Sequence, residues 1–210
     1  MDNFSWEKKF LTTFKSSIEK YRSGDQNLDK FFSDKDLKYF SSIGYKPREF
    51  FDFVEDYCDI GAPSIETAIL IAAARRDYFY TIQKKEISTN EITSKDLPSR
   101  DSKLGNISWL PRIITKARAK LRGELHPDVM YSCQGDMNFL QTHNIHPADF
   151  LRVVWAAPAT RGSFSGACAS PRAVARALRR PTPGIWQEFR GVAEPSMSTL
   201  PYILPCVRDE

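Results

Sequence analysis

Residues 109–136, "WLPRIITKARAKLRGELHPDVMYSCQGD", hold the densest set of chemically capable side chains in the chain. Arg112, Lys116 and Lys120 recur at four-residue spacing, and Arg118 and Arg122 form a second such row. On a helix these rows become two basic stripes. Guanidinium forks match phosphate and carboxylate oxygens. These five residues are therefore the candidate binding set for an anionic small molecule or an acidic protein surface.

Downstream, Cys133, Asp136 and His143 follow in order, with His126 and His146 close by. A thiol ahead of a helix start, with an imidazole in reach, has what a nucleophile needs. The helix N-terminus or a cation stabilises the thiolate, and the imidazole takes the proton. Cys133, Asp136 and His143 are the candidate catalytic set, and His126 is a second candidate base. Read as metal ligands they match no known zinc spacing, and there is no HExxH, so no metal residue is assigned. No Walker loop, dinucleotide fingerprint or Ser-His-Asp signature occurs, and no cofactor can be named.

Plainer readings stand beside these. Charge rows on helices are commonly solvated or paired inside the fold. A single intracellular Cys is commonly a small apolar filler.

The elements that would position these residues are helices. Phe10, Leu11, Phe14, Ile18 and Tyr21 have helical spacing within a helix of about 4–21. Ser33 with Asp36 resembles a capping box, and Gly44 suits the end of that helix. Pro47 suits the first turn of a helix over 48–59. On a wheel its apolar side holds Phe50, Phe51, Phe53, Val54, Tyr57 and Cys58, and Glu49, Asp52, Glu55, Asp56 and Asp59 form an acidic face. Ser64 is a plausible N-cap for a helix over 65–83 that is apolar almost all round at first, and so central and buried. At least one of Arg75 and Arg76 is expected to be partly buried there. The acidic helix is the expected supplier of its partner, because adjacent Asp77 cannot face either arginine on a helix.

Residues 86–106 read as a loop with one short turn. Pro111 and Gly123 bracket the basic helix, 111–123. Asp136 is expected to cap a short helix over 137–142, and Pro147 to start a last one with His146 as a capping residue. No strand alternation or internal repeat is seen. The expected fold is all-α: a compact bundle of about five to seven helices over residues 1–157.

Composition divides the chain at the same place. Residues 1–157 hold 23 Lys+Arg against 22 Asp+Glu, so bulk charge gives no case for nucleic acid. Residues 158–210 hold seven of the 13 prolines and four of the 26 aromatics, and read as a disordered or loosely packed tail. Within it Ser170 and Pro171 could open a short helix carrying Arg172, Arg176 and Arg179. The N-terminus has no secretory pattern, and the longest apolar run, "AILIAAA", is too short to span a bilayer. A cytoplasmic location and reduced thiols are expected.

Several motifs together resemble a family. "SSIGYKPREFFDFVEDYC", "AAARRDYF", "WLPRIITKARAKLRGEL", "MYSCQGDMNFL" and "HPADFLRVVWAA" are similar, in order, to a family of small bacterial proteins known as a domain of unknown function, DUF5069. The resemblance runs over about 36–157 and implies no reaction, cofactor or catalytic residue. The family's cysteine turn resembles "CGGDR", whereas this chain has "CQGDM" at 133–137, with Met137 in place of the basic residue. After Ala157 the chain departs from the family, as a frameshifted extension of a GC-rich gene would. The expected function is a binding module for an anionic ligand or acidic partner. The alternative is an enzyme with a Cys/His/Asp site around 126–146.

Overall fold

The computed structural model describes residues 3–157. The readings of 158–210, including the short helix at 170, lie outside the described residues. Eight α-helices make up the described part: α1 Trp6–Arg22, α2 Leu28–Phe31, α3 Asp34–Ser42, α4 Pro47–Ile60, α5 Ile65–Thr81, α6 Leu110–Arg122, α7 Gln134–Thr142 and α8 Pro147–Ala156. The fold is mostly helical, as the periodicity indicates.

The local signals act where expected. Ser33 and Asp36 form the capping box of α3, each side chain bonding the other's backbone N–H. Pro47 opens α4, and Ser64 accepts the Thr67 N–H at the start of α5. His146 Nδ1 accepts the Ala148 N–H and so caps α8. Such caps stabilise helix ends by about 1 kcal/mol each.

Two readings change. The segment 86–106 is not all loop and turn: after a short 3₁₀ turn at Ser94–Asp96 comes a hairpin of two-residue strands, β1 Lys103–Leu104 and β2 Ile107–Ser108, paired antiparallel. Strands this short leave no alternation to read. And α7 starts at Gln134 with Cys133 as its N-cap residue, so Asp136 lies in the first turn and not at the cap.

The core has two parts. Between α1, α3 and α4, Phe10, Phe14, Phe40 and Phe50 pack ring on ring, with Phe40 and Phe50 centroids 4.5 Å apart. Each buried ring contributes roughly 1.5–3 kcal/mol of transfer free energy. The second part joins α5, α6 and α8, with α5 also touching α1. Helix α5 is central because it is apolar almost all round.

Its two arginines are both buried. Arg75 is 1% exposed, donates to Gln83 Oε1 at 2.7 Å and stacks over Phe79. Arg76 donates to Asn3 Oδ1, sits between Trp6 and Tyr80, and reaches Asp77 Oδ1 at 3.6 Å. Contact with its sequence neighbour was not expected on a helix; the flexible arginine stem allows it. Gly123, at φ +69, ends α6 where a Cβ would lie 2.6 Å from Arg75 Nη2. The α6 C-terminus therefore closes directly onto the buried guanidinium.

Candidate functional site

Helix α6 does not present its lysines to solvent. Lys116 and Lys120, one turn apart, are each 4% exposed and each ends on a buried carboxylate. Arg112 donates to the Pro98 carbonyl and covers Trp109. Arg118 is half-buried, and Arg122 reaches Glu124 at 3.8 Å. Of the five candidate binding residues, two thus serve buried ion pairs and a third, Arg122, a longer and partly exposed one.

Lys116 pairs with Asp136, which is fully buried. Asp136 also accepts from Trp109 Nε1 at 2.9 Å and from the Ser132 N–H at 3.1 Å. These three donors tie the start of α6, the 123–133 connection and α7 together. Gly135 makes room for this, since a Cβ there would lie 2.7 Å from the Trp109 ring. Lys116 Nζ also donates to Cys133 Sγ at 3.2 Å, and Cys133 is half-buried at the N-terminus of α7.

Cys133, Lys116 and Asp136 therefore form one cluster. His143 is not in it. It is the C-cap residue of α7, with its Nδ1 on the Phe139 carbonyl at 2.9 Å and its ring against Phe139. Cys133 and His143 flank opposite ends of a nine-residue helix, roughly 15 Å apart. Because α7 begins three residues earlier than expected, the base is carried away from the thiol. His126 lies in the 123–133 connection and accepts the Asp128 N–H. Among the described residues no group of three or more His, Cys, Asp or Glu side chains is placed to hold a metal ion.

The second pair, Lys120 with Glu49 of α4, opens onto a cavity. Glu49 is 5% exposed and accepts from Lys120 Nζ at 3.0 Å and from the Lys46 N–H at 3.1 Å. Burial pushes its carboxyl up, but the charges of Lys120 and Arg75 outweigh this and hold it below the usual range. Lys120 Nζ lies 4.8 Å from the Tyr45 ring centroid and 4.9 Å from that of Phe53. Aromatic faces and one carboxylate thus enclose the ammonium.

The cavity, about 60 Å³, lies between α4, α6 and the 125–131 segment. Lys46, Arg48, Glu49 and Asp52 line it from α4 and its cap, Lys120 from α6, and His126 and Tyr131 from that segment. The segment is held in place by residue 92: the Ile92 N–H donates to the Glu124 carbonyl at 2.7 Å, and the His126 N–H to the Ile92 carbonyl at 3.1 Å. At the mouth Lys46 pairs with Glu91 at 3.3 Å. A void needs about 10–15 Å³ to take one water. This one accepts a group of a few heavy atoms and not a nucleotide.

Two features of the lining stand out chemically. Burial raises the Asp52 carboxyl to about 6, helped by Glu55 and Asp56, against the charges of Arg48 and Lys120. Arg48 Nε lies 2.7 Å from Asp52 Oδ1, yet its N–H has no hydrogen-bond acceptor, so the contact is an ion pair without alignment. Neither Arg48 nor Asp52 was singled out as a site residue in the sequence. On a helical wheel Asp52 is one member of an acidic face; its burial depends on residues far along the chain.

Neither the curated proteins nor the solved structures include a match to this chain. A family model does match, over residues 94–162, a span that includes α6, α7 and α8 but begins well after residue 36, where the resemblance of the motifs begins. Over that span the chain is a match to DUF5069, "Domain of unknown function", the same family that the motifs resemble.

Proposed function

We propose that the protein is a binding module for a small anionic ligand, taken into the cavity between α4 and α6. The observation that carries this reading is the lining itself. Three cations, Lys46, Arg48 and Lys120, converge on a void of about 60 Å³, beside the three carboxylates Glu49, Asp52 and Glu91. One of them, Arg48, has a buried Nε–H with no acceptor. A buried donor without a partner costs roughly 1–3 kcal/mol, and an oxygen of a bound anion would recover it. This relocates the anion site from the outer rows of α6 to the face that α6 shares with α4.

The test is a thermal-shift titration of the full chain with sodium acetate and with inorganic phosphate, chloride serving as the ionic-strength control. A ligand at a hundred times its Kd stabilises by about 2.7 kcal/mol, or roughly 5–10 °C for a domain of this size. Arg48→Gln is expected to lose that shift while keeping the helical circular dichroism. No shift with either anion, or an equal shift in Arg48→Gln, defeats the reading.

A second reading, a thiol enzyme, is favoured by the Lys116 ammonium 3.2 Å from Cys133 Sγ at a helix N-terminus. Both surroundings favour nucleophilic sulfur. Cys58 is an internal control, its thiol pushed up by burial, with the Arg22 charge opposing. Site-resolved iodoacetamide labelling is expected to modify Cys133 at least tenfold faster than Cys58 under this reading. Equal rates remove it.

A further inference from the structure

Resting on the reading of the α4–α6 cavity as an anion site, we propose that its ligand is a small oxyanion, a carboxylate or a phosphate, which replaces Asp52 on the Arg48 guanidinium, and that Asp52 takes up one proton as it is displaced.

Arg48 is held unevenly. Its own helix supplies two carboxylates, Asp52 at Nε (2.7 Å) and Glu55 at Nη2 (3.1 Å). The Glu55 contact is a formed hydrogen bond, whereas the Asp52 contact is not, because the Nε–H has no acceptor. One edge of the fork is therefore satisfied, and the other meets an oxygen at the wrong angle. A separate oxyanion, free of the α4 backbone, can align with that edge as Asp52 cannot.

Charge counting supplies the proton. With Asp52 ionised, the lining holds three carboxylates, Glu49, Asp52 and Glu91, against the three cations Lys46, Arg48 and Lys120. An anion entering as it stands would bring uncompensated negative charge into a partly buried space, which is costly. If one carboxylate is protonated on entry, the balance is kept.

Glu49 is not that carboxylate. Lys120, Arg75 and the Lys46 N–H hold it in its ionised form. Glu91 is exposed at the mouth, where water solvates its charge. Asp52 is left. Glu55 and Asp56 of α4 disfavour its charge, Arg48 and Lys120 favour it, and His126 and Tyr131 face the same space from the 125–131 segment. Burial is the largest influence and brings its carboxyl to about 6, so near neutrality one proton is available at modest cost. No bond between heavy atoms is made or broken in the exchange: the oxyanion takes the guanidinium, and an O–H bond forms on Asp52 as hydronium or a buffer acid gives up its proton.

This linkage has a definite sign. Binding that needs neutral Asp52 weakens as pH rises above about 6, and the apparent affinity falls roughly fifty-fold between pH 6 and pH 8. Calorimetry of the full chain with sodium acetate, at pH 7 in two buffers of different ionisation enthalpy, reads the proton directly. Uptake close to one proton per acetate is expected. Asp52→Asn should abolish the uptake and tighten acetate binding about tenfold at pH 7. A parallel titration with inorganic phosphate at pH 6 decides between the two oxyanions. Acetate binding with no proton uptake overturns the exchange and leaves the anion site standing. Unchanged uptake or weaker binding in Asp52→Asn also overturns it. No binding of either probe removes the exchange and the site together.

Discussion

Glu49→Gln is the most informative single perturbation of this molecule. The substitution keeps the shape of the side chain and removes its charge. In the folded protein that charge faces Lys120 Nζ at 3.0 Å, with side-chain exposures of 5% for Lys120 and 6% for Glu49. Losing one member of a buried ion pair leaves the other desolvated, and the expected cost is about 3–5 kcal/mol. Arg75 adds to this, because Glu49 is also the leading carboxylate influence on that buried guanidinium. For a domain of this size a urea m-value of about 2 kcal/mol/M turns 4 kcal/mol into a midpoint shift of roughly 2 M. The double variant Glu49→Gln/Lys120→Met removes both charges and is expected to recover most of the loss, since well-packed apolar replacements of buried pairs are often neutral or better. Urea unfolding followed by circular dichroism, on wild type, both single variants and the double variant, gives the coupling directly. A cost below about 1 kcal/mol for Glu49→Gln, or additivity in the cycle, would refute the reasoning that this pair is buried and mutually dependent.

Three further outcomes follow from the same geometry. Gly135→Ala should destabilise by about 1–3 kcal/mol, because the new methyl meets the Trp109 ring at 2.7 Å; an unchanged urea midpoint would contradict that contact. Asp52 and Asp56 are both raised to about 6, by burial first, so each contributes stability that is full below its unfolded value of about 4 and is lost as pH rises through about 6. The variant Asp52→Asn/Asp56→Asn should therefore flatten the urea-midpoint profile between pH 4 and 6, whereas a steeper decline there would reverse the assignment. A fragment of residues 94–157 should lack cooperative unfolding, because α6 and α8 pack on α5 and Lys120 would lose Glu49. A sigmoidal thermal transition in that fragment would show that the family-matched segment folds alone.

How much of this could be read beforehand depends on distance along the chain. Helix starts at Pro47, Ser33, Ser64 and Pro147 were legible because caps and N1 prolines act within four residues. The basic rows of α6 were legible as well, but not their partners. Lys116 meets Asp136 twenty residues on, and Lys120 meets Glu49 seventy-one residues back. Spacing alone cannot tell a solvated lysine from one driven into a buried pair. The same limit applied to the acidic face of α4, which the wheel treats as uniform. Packing divides it: Glu49 is buried under α6, Asp52 lines the cavity, and Asp59 stays exposed beside the Tyr21 hydroxyl. Cys133 and Asp136 meet at the Lys116 ammonium. Read from the sequence, α7 starts three residues late; with the helix beginning at Gln134, Cys133 becomes its N-cap residue and the whole nine-residue helix separates it from His143.

The central claim, that a small oxyanion enters the α4–α6 cavity at Arg48, is tested most directly at that side chain. Arginine Nε–H resonances are observable in a chain labelled with nitrogen-15, and Arg48→Gln assigns the one in question. Titration with sodium acetate at pH 6 should move the Arg48 Nε–H resonance saturably, with nearby backbone amides at Lys46, Glu49 and His126 following the same curve. An Arg48 resonance that stays in place while the Arg118 or Arg122 resonance moves would put any anion on the outer rows of α6 and contradict the account.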